Sequence, residues 1–527
     1  MSAGAQPAVP GENGPPALPD WLDPLPEAAA QRALDRWAIE QRGIAGIELM
    51  ERAGRGLFEL TQRTIPGGTI AVVCGKGNNG GDGLVVARLL REAGREVDLQ
   101  LLPDPHELHG DALLALGRLC GAPPRIFNPG ALVEVAGIVD AILGTGATGA
   151  PHGLVCDAIE AIALAAERGV KVVACDVPSG VDGSTGEVAG AAVRADATAT
   201  FHAAKPGLWI APGKQHAGTV EVVDIGIPGG ERPPETVASI GLIGNVLDAL
   251  PRRGAAATKF DGGNVFVCGG STGLTGAPSL ASAAAARAGA GYVTVAVPAA
   301  LNLVFELRQA EVMSVPLPDA DGALVPDALA PLLSRLERAD ALVLGPGLGR
   351  APATGEFARA LAAQAPLPLL LDADGLNAHD ERLELLAERN APTVLTPHGG
   401  ELARLLGVDS DAVRAQRLAL AREAAKRSGA IVVLKGDDTL VVEPEGRVAV
   451  SRGDAPALAT AGTGDVLSGT IGALLARGVE PFAAACAGVE LHRRAGRIVG
   501  AEIGVEGAIA GDVVAALPTA RRDGAVG

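Results

Sequence analysis

The stretch Thr460-Ala461-Gly462-Thr463-Gly464-Asp465-Val466-Leu467-Ser468-Gly469 sets one carboxylate directly after a run of small residues. Val466, Leu467, Ile471, Leu474 and Leu475 then recur at helical spacing, so the stretch reads as a loop feeding the N-terminus of a buried helix. Free backbone N–H groups and the positive end of the helix dipole gather at such a point and suit a transferred phosphoryl group. Asp465 is placed beside that anion site to take a proton from an attacking hydroxyl. The bland alternative is a glycine turn in which Asp465 only caps the helix; the rest of the chain decides against it.

A second constellation lies early in the chain. Thr69-Ile70-Ala71-Val72-Val73-Cys74 reads as a buried strand and ends in Gly75-Lys76-Gly77-Asn78-Asn79-Gly80-Gly81-Asp82-Gly83. A helix is expected over 84–93 and another strand over 97–102, which together make a βαβ unit with its ligand beyond the strand ends. Asn78, Asn79 and Asp82 add side-chain oxygens and amides to the glycine loop, so it could hold phosphates and also a hard cation. Two later strands feed the same rim. One carries Asp140 and ends in Gly144-Thr145-Gly146-Ala147-Thr148-Gly149; the other ends in Asp176-Val177-Pro178-Ser179-Gly180-Val181-Asp182. An aspartate inside an apolar strand is costly without a partner, which gives Asp140 a chemical or cation-binding role. His202 and Lys205 read as surface or core fixtures.

The elements that must position these residues fit an α/β chain. Its 527 residues suffice for two domains, and 48% are hydrophobic but only 2% aromatic, so Val, Leu, Ile and Ala must build the cores. The 72 glycines and 37 prolines fall between short apolar runs, with no collagen period. A formal charge of −17, from 44 basic and 61 acidic residues, argues against broad binding to nucleic acid or anionic membranes. Six scattered cysteines without a Cys-Xaa-Xaa-Cys pair read as reduced core residues of a cytoplasmic protein. No apolar run is long enough to span a bilayer. Residues 1–23 are expected to be a flexible leader, and 26–62 carry a helical pattern. The Pro/Gly-rich stretch within 227–251 places a domain boundary near 235.

Beyond it, a strand is expected over 292–297, and strands over 264–268, 341–344, 369–371, 394–395 and 431–434 each stop at a glycine-rich or polar turn. These five turns, with the one before Asp465, are all expected at one edge of a single sheet. Main-chain amides, a lysine, carboxylates able to recruit Mg²⁺ and an aspartate base make a phosphoryl-transfer site.

Asn78-Asn79-Gly80-Gly81-Asp82-Gly83, Asp140 with Gly144-Thr145-Gly146, and Asp176 to Asp182 resemble the NAD(P)HX epimerase domain over about residues 24–230. That resemblance implies a Rossmann-like, three-layer domain over 24–235. In it Asn78 to Asp82 and Gly144 to Ala150 hold the dinucleotide, and Asp176 contacts substrate. It also implies that Asn79, Asp140 and Ser179 ligate K⁺, and Asp140 is the candidate acid/base. Gly-Ser-Thr-Gly-Leu-Thr-Gly-Ala277, Gly345-Pro346-Gly347-Leu348-Gly349, Asp372-Ala373-Asp374-Gly375-Leu376-Asn377, Thr396-Pro397-His398-Gly399-Gly400-Glu401, Lys435-Gly436-Asp437-Asp438-Thr439 and Ala461 to Asp465 resemble, in that order, the NAD(P)HX dehydratase family, a branch of the ribokinase-like fold. For 236–527 this implies that Ala277, Gly347 or Gly349, His398 and Asp465 contact the hydrate. Lys435, Gly436, Asp437, Asp438, Thr439 and Gly464 would contact the adenine nucleotide, with Asp465 as base.

The two resemblances together imply a bifunctional repair enzyme. Its substrates would be NADHX, NADPHX and ADP, its products NAD(P)H, AMP and phosphate, and its metals K⁺ and Mg²⁺. ADP as the donor follows from the fused two-domain arrangement and from no single residue. Assembly as a homo-oligomer is expected from ribokinase-like relatives. The alternatives are a kinase for a sugar or vitamin precursor, and a nucleotide-binding scaffold whose first domain has lost catalysis.

Overall fold

A computed structural model describes residues 16–230 and 233–523. Among these, two sheets with helices on both faces account for nearly all strands. The first sheet has seven strands, ordered Arg125–Ile126, Val97–Leu101, Ile70–Cys74, Gly137–Ala141, Lys171–Cys175, Ala197–Phe201 and Thr219–Val223. All neighbours are parallel. Side chains alternate between its two faces, as the strand repeat requires. Ile70, Val72 and Cys74 enter one core with the helix Gly46–Thr64, whereas Ala71 and Val73 enter the other with Ile159 and Ile162. Chain order reverses between Ile70–Cys74 and Gly137–Ala141, and ligands of open parallel sheets bind at such a switch point.

The second sheet has eleven strands. A parallel run from Ile431–Leu434 through Thr393–Leu395, Leu369–Leu371, Ala341–Leu344, Asn264–Cys268 and Tyr292–Pro298 to Met313–Leu317 carries the strand ends singled out in the sequence. Leu440–Val442 returns antiparallel and Val448–Val450 runs forward again, so the chain enters 451–465 from the same edge as the parallel strands leave. The helix Thr463–Ala476 packs on this sheet against Gly276–Ala288. Small residues make the close approach possible: an added Cβ on Gly469 would overlap the Ala281 carbonyl.

Several local expectations change. The helical pattern over 26–62 is two helices, Ala28–Glu40 and Gly46–Thr64, parted by a turn in which Gly43 has φ +71°. The expected glycine loop is shorter, because the helix Asn78–Glu92 starts at Asn78 and turns Asn78 to Gly83 into its first turns. The expected leader does not run to residue 23. Leu22–Pro24 is a strand paired antiparallel with Ile240–Ile243 of the second sheet, and Leu22 and Leu25 are buried in that sheet's cores. Residues 1–15 of that leader lie outside the described residues. Chain from before the first domain therefore folds as part of the second, while the main changeover between sheets falls between Val223 and Ile240.

All six cysteines are free thiols, four of them buried. Among the described residues, no helix is long and apolar enough to cross a membrane.

Candidate active sites

At the switch point of the first sheet lies a cavity of about 760 Å³. Lys76, Asn78 and Asn79 enter from the end of one central strand, and Gly144, Thr145, Gly146 and Ala147 from the end of the other. Asp35, Asp82, Asp176 and Lys205 place three carboxylates and one ammonium on its wall. Thr148, Gly149 and Ala150 line an adjoining cavity of about 250 Å³ that shares Leu143, Ala147 and His152 with the first. Gly80 and Gly81 do not reach either space. A Cβ on Gly80 would overlap the Gly75 carbonyl and one on Gly81 would press on Met50, so these glycines let the helix settle against its neighbours.

The carboxylates are driven apart electrostatically. Burial, reinforced by Asp176 and Asp35, pushes Asp82 well above the usual carboxylate range. Burial also raises Asp35 against the opposing pull of Gln31 and Lys205. For Asp176 burial acts in the same direction, but Lys205 and Thr145 outweigh it and hold the group below its ordinary value. Lys205 is 1% exposed, with Nζ 2.8 Å from Asp176 Oδ1 and donating to the Phe201 carbonyl at 2.8 Å. The Thr145 hydroxyl donates to Asp176 Oδ2. Asp176 also has φ +63°, a left-handed backbone uncommon outside glycine and typical of functional turns.

Lys205 and Asp35 are what sequence reasoning missed. Their significance lies in facing Asp176 across the fold, and no local spacing encodes that. The strand ends at Asp176 and at Phe201 offered the one available signal, since both leave the sheet at the same edge.

Asp140 is fully buried and absent from the cavity wall. Its Oδ1 accepts from the Ser179 hydroxyl at 2.6 Å and from the Ile142 amide at 3.3 Å, while Oδ2 accepts from the Ser179 amide at 2.8 Å. Burial raises it to about 6, and the Ser179 bonds oppose the rise. Asn79 Nδ2 donates to the Leu143 carbonyl at 2.8 Å, and the Leu143 amide donates to Ser179 Oγ at 2.9 Å. Asn79 and Ser179 therefore meet at Leu143, and Asp140 joins them through Ser179.

In the second domain Lys435 is the hub. Its Nζ lies 2.9 Å from Asp372 Oδ1 and 3.6 Å from Glu401 Oε2. The Ser468 hydroxyl donates to Asp372 Oδ2 at 2.7 Å, and the His398 amide donates to Glu401 Oε2 at 2.8 Å. Three strand ends and the helix Thr463–Ala476 are thus tied together. Burial opposes the Lys435 ammonium, yet Asp372, Glu401 and Asp465 hold its pKa above the ordinary lysine value. Asp465 moves to about 7, first through burial and then through repulsion from Asp372, with Lys435 pulling it back. His398 is exposed for about half of its side chain and caps the helix Gly399–Leu406 through Nδ1, and partial desolvation lowers its pKa despite Glu401. Gly347 packs under Ala277, while the Gly349 amide donates to Asp374 Oδ2 at 2.9 Å beside a surface cleft of about 420 Å³. The five expected hydrate contacts are spread along the rim.

A further cavity of about 340 Å³ is walled by Lys435, Gly436, Asp437, Thr439, Gly453, Thr463, Gly464 and His492. Asp438 does not face it. That carboxylate is 3% exposed and accepts from Arg417 Nε at 2.9 Å and from the Ala211 amide at 2.8 Å. Among the described residues no three His, Cys, Asp or Glu side chains form a metal cluster.

Two family models match the chain: "YjeF-related protein N-terminus" over residues 46–207 and "NAD(P)H-hydrate dehydratase" over residues 265–519. The bifunctional NAD(P)H-hydrate repair enzyme of Moorella thermoacetica is 40% identical over 95% of this chain and 97% of its own length. That of Salinibacter ruber is 39% identical over 94% and 95%. The crystal structure of the ADP/ATP-dependent NAD(P)H-hydrate dehydratase of Bacillus subtilis with ATP and Mg²⁺ aligns with a TM-score of 0.46 at 27% identity. It covers 53% of this chain and 96% of that one. With such relatives matched along nearly the whole chain, the chain belongs to the family of bifunctional NAD(P)H-hydrate repair enzymes.

Proposed function

We propose that the two sites divide the repair of hydrated NADH and NADPH. The first-domain cavity exchanges the R and S epimers, and the second-domain site dehydrates the S form with ADP, giving NAD(P)H, AMP and phosphate. The observation that carries this reading is the pairing of a raised Asp82 with a lowered Asp176 on one cavity wall, and of a raised Asp465 with Lys435 at the other site.

In this reading epimer exchange proceeds as C6 loses its hydroxyl as water and regains water on the other face. Asp82, whose burial and neighbouring carboxylates make it hold its proton more tightly than usual, supplies the proton for the departing hydroxyl, and Asp176, held low by Lys205, takes one from the incoming water. Asn79, Asp140 and Ser179 would hold K⁺, whose charge offsets Asp140 and fixes the 142–146 turn. Asp140 serves the loop and not the proton transfer.

In the second domain Asp465 removes the proton from the C6 hydroxyl as it attacks the terminal phosphoryl group. Lys435 and the Gly464 amide face that phosphate. Phosphate then leaves C6, driven by the ring nitrogen, and loss of a proton from C5 to the departing phosphate restores the dihydropyridine. The carboxylates nearest this site are already held by Lys435, Ser468, Lys214 or Arg417. Mg²⁺ would accordingly ride on the nucleotide phosphates with its waters instead of in a protein cage. Cytoplasmic location fits six free thiols. Homo-oligomerisation fits exposed Leu303, Leu307 and Met313 beside the edge strand Met313–Leu317.

The test is incubation of the pure protein with each hydrate epimer and ADP or ATP. Recovery of the reduced-cofactor absorbance from both epimers, with AMP formed from ADP, is expected. No recovery from either epimer with any nucleotide would refute the reading, and a stable phosphorylated product would make the second domain a simple kinase.

A further inference from the structure

The segment 204–214 belongs to the first domain by sequence but is rooted in the second. Ile210 is fully buried in the core formed by Leu434, Leu440 and Val450, and Trp209 and Ala204 pack against that core. From this root the Ala211 amide bonds Asp438 at 2.8 Å. One short turn later Lys214 Nζ lies 2.5 Å from Asp437 Oδ2 and 3.3 Å from the Arg452 carbonyl. Asp437 Oδ1 also accepts from the Asp454 amide at 2.9 Å. Lys214 therefore joins the turn after Ile431–Leu434 to the turn after Val448–Val450, and both turns wall the 340 Å³ cavity.

Asp437 is the sole carboxylate on that wall among the described residues. Left unpaired it would repel a phosphate chain, since like charges a few ångströms apart interact strongly where water is partly excluded. Burial disfavours its charge, but Lys214 and the Asp454 amide keep the group below its ordinary pKa, so the negative charge is present and needs cancelling.

We infer that Lys214, a residue of the epimerase domain, is a positioning and charge-compensating residue of the dehydratase's nucleotide site. It neutralises Asp437 and pins the two turns that receive a nucleoside di- or triphosphate. This rests on the reading of Lys435 to Thr439 as the nucleotide loop.

The experiment uses the full-length protein and calorimetric binding of adenosine, ADP and ATP, with thermal unfolding and epimer exchange followed in parallel. Lys214→Ala should weaken ADP about threefold to fivefold, the range of a partly exposed ion pair. ATP should be weakened more and adenosine not at all, with the difference shrinking at high salt. Lys214→Arg should restore most of the affinity, and Asp437→Asn added to Lys214→Ala should recover ADP binding. Equal ADP affinity in wild type and Lys214→Ala, or an equal loss for adenosine and ADP, would overturn the inference while leaving the loop's role intact. Failure of wild type to bind ADP, or binding indifferent to Lys435→Ala, would instead overturn the reading of the loop.

Discussion

Lys205 Nζ and Asp176 Oδ1 stand 2.8 Å apart on the wall of the larger cavity, with the lysine all but sealed from solvent. Lys205→Met should lower epimer exchange by about a hundredfold or more, in the range set by loss of a tuned acid–base partner. Dehydration of the S epimer should persist. The variant should also lose roughly 3 kcal/mol of stability, because Asp176 is left as a buried charge without its partner. Exchange followed by chromatography of the separated epimers, with denaturant unfolding alongside, checks both effects.

Asp465 must be ionised to accept a proton, and its folded pKa is about 7. The dehydration rate should therefore climb with pH up to a plateau above 7 and fall about tenfold per unit well below it. Asp372 is the principal like charge raising Asp465, so Asp372→Asn should move the acid limb to lower pH. Asp465→Asn should abolish dehydration and spare epimer exchange. Rate–pH profiles with pure S hydrate measure these outcomes; a limb that stays near 7 in Asp465→Asn would remove Asp465 from the role of base.

The same shift has a consequence for folding. Because the folded-state pKa of Asp465 lies above its unfolded value of 3.8, the folded protein holds the proton more tightly. That advantage is present below about pH 4 and is lost as pH rises through 7. Asp465→Asn should thus stabilise the second domain at pH 8 by roughly 2 kcal/mol, discounting for partial exposure, and little at pH 4. Unfolding curves at the two pH values settle the sign.

Asp140→Asn keeps the shape of a group bonded to Ser179 but removes its charge. Epimer exchange should lose its response to K⁺ and fall at least tenfold, whereas dehydration should be unchanged. The measurement is a KCl titration at constant ionic strength, with choline as the replacing cation. Exchange with unaltered K⁺ dependence would dismiss Asp140 as a ligand.

Removal of residues 1–25 deletes a strand that completes the second sheet, together with buried Leu22 and Leu25. The cost should appear in the second domain, although the deletion precedes the first. Burial of two leucines alone corresponds to roughly 3–5 kcal/mol. Limited proteolysis should show cleavage near Ile240–Ile243 in the truncated protein before it appears in the full chain.

Apolar strands punctuated by glycine turns were enough, in the sequence alone, to read two α/β domains and to put Lys435, Asn79 and Asp176 after strand ends and Asp465 at a helix start. Alternation and turn chemistry are local, so the residues themselves carry that information. Partnership is not local. That Lys205 answers Asp176, that Asp140 turns into the protein, that Asp438 is spent on Arg417, and that Leu22 and Lys214 serve the other domain all depend on how distant segments meet. A buried charge takes its chemistry from whatever lies within a few ångströms, and only the folded chain decides what that is.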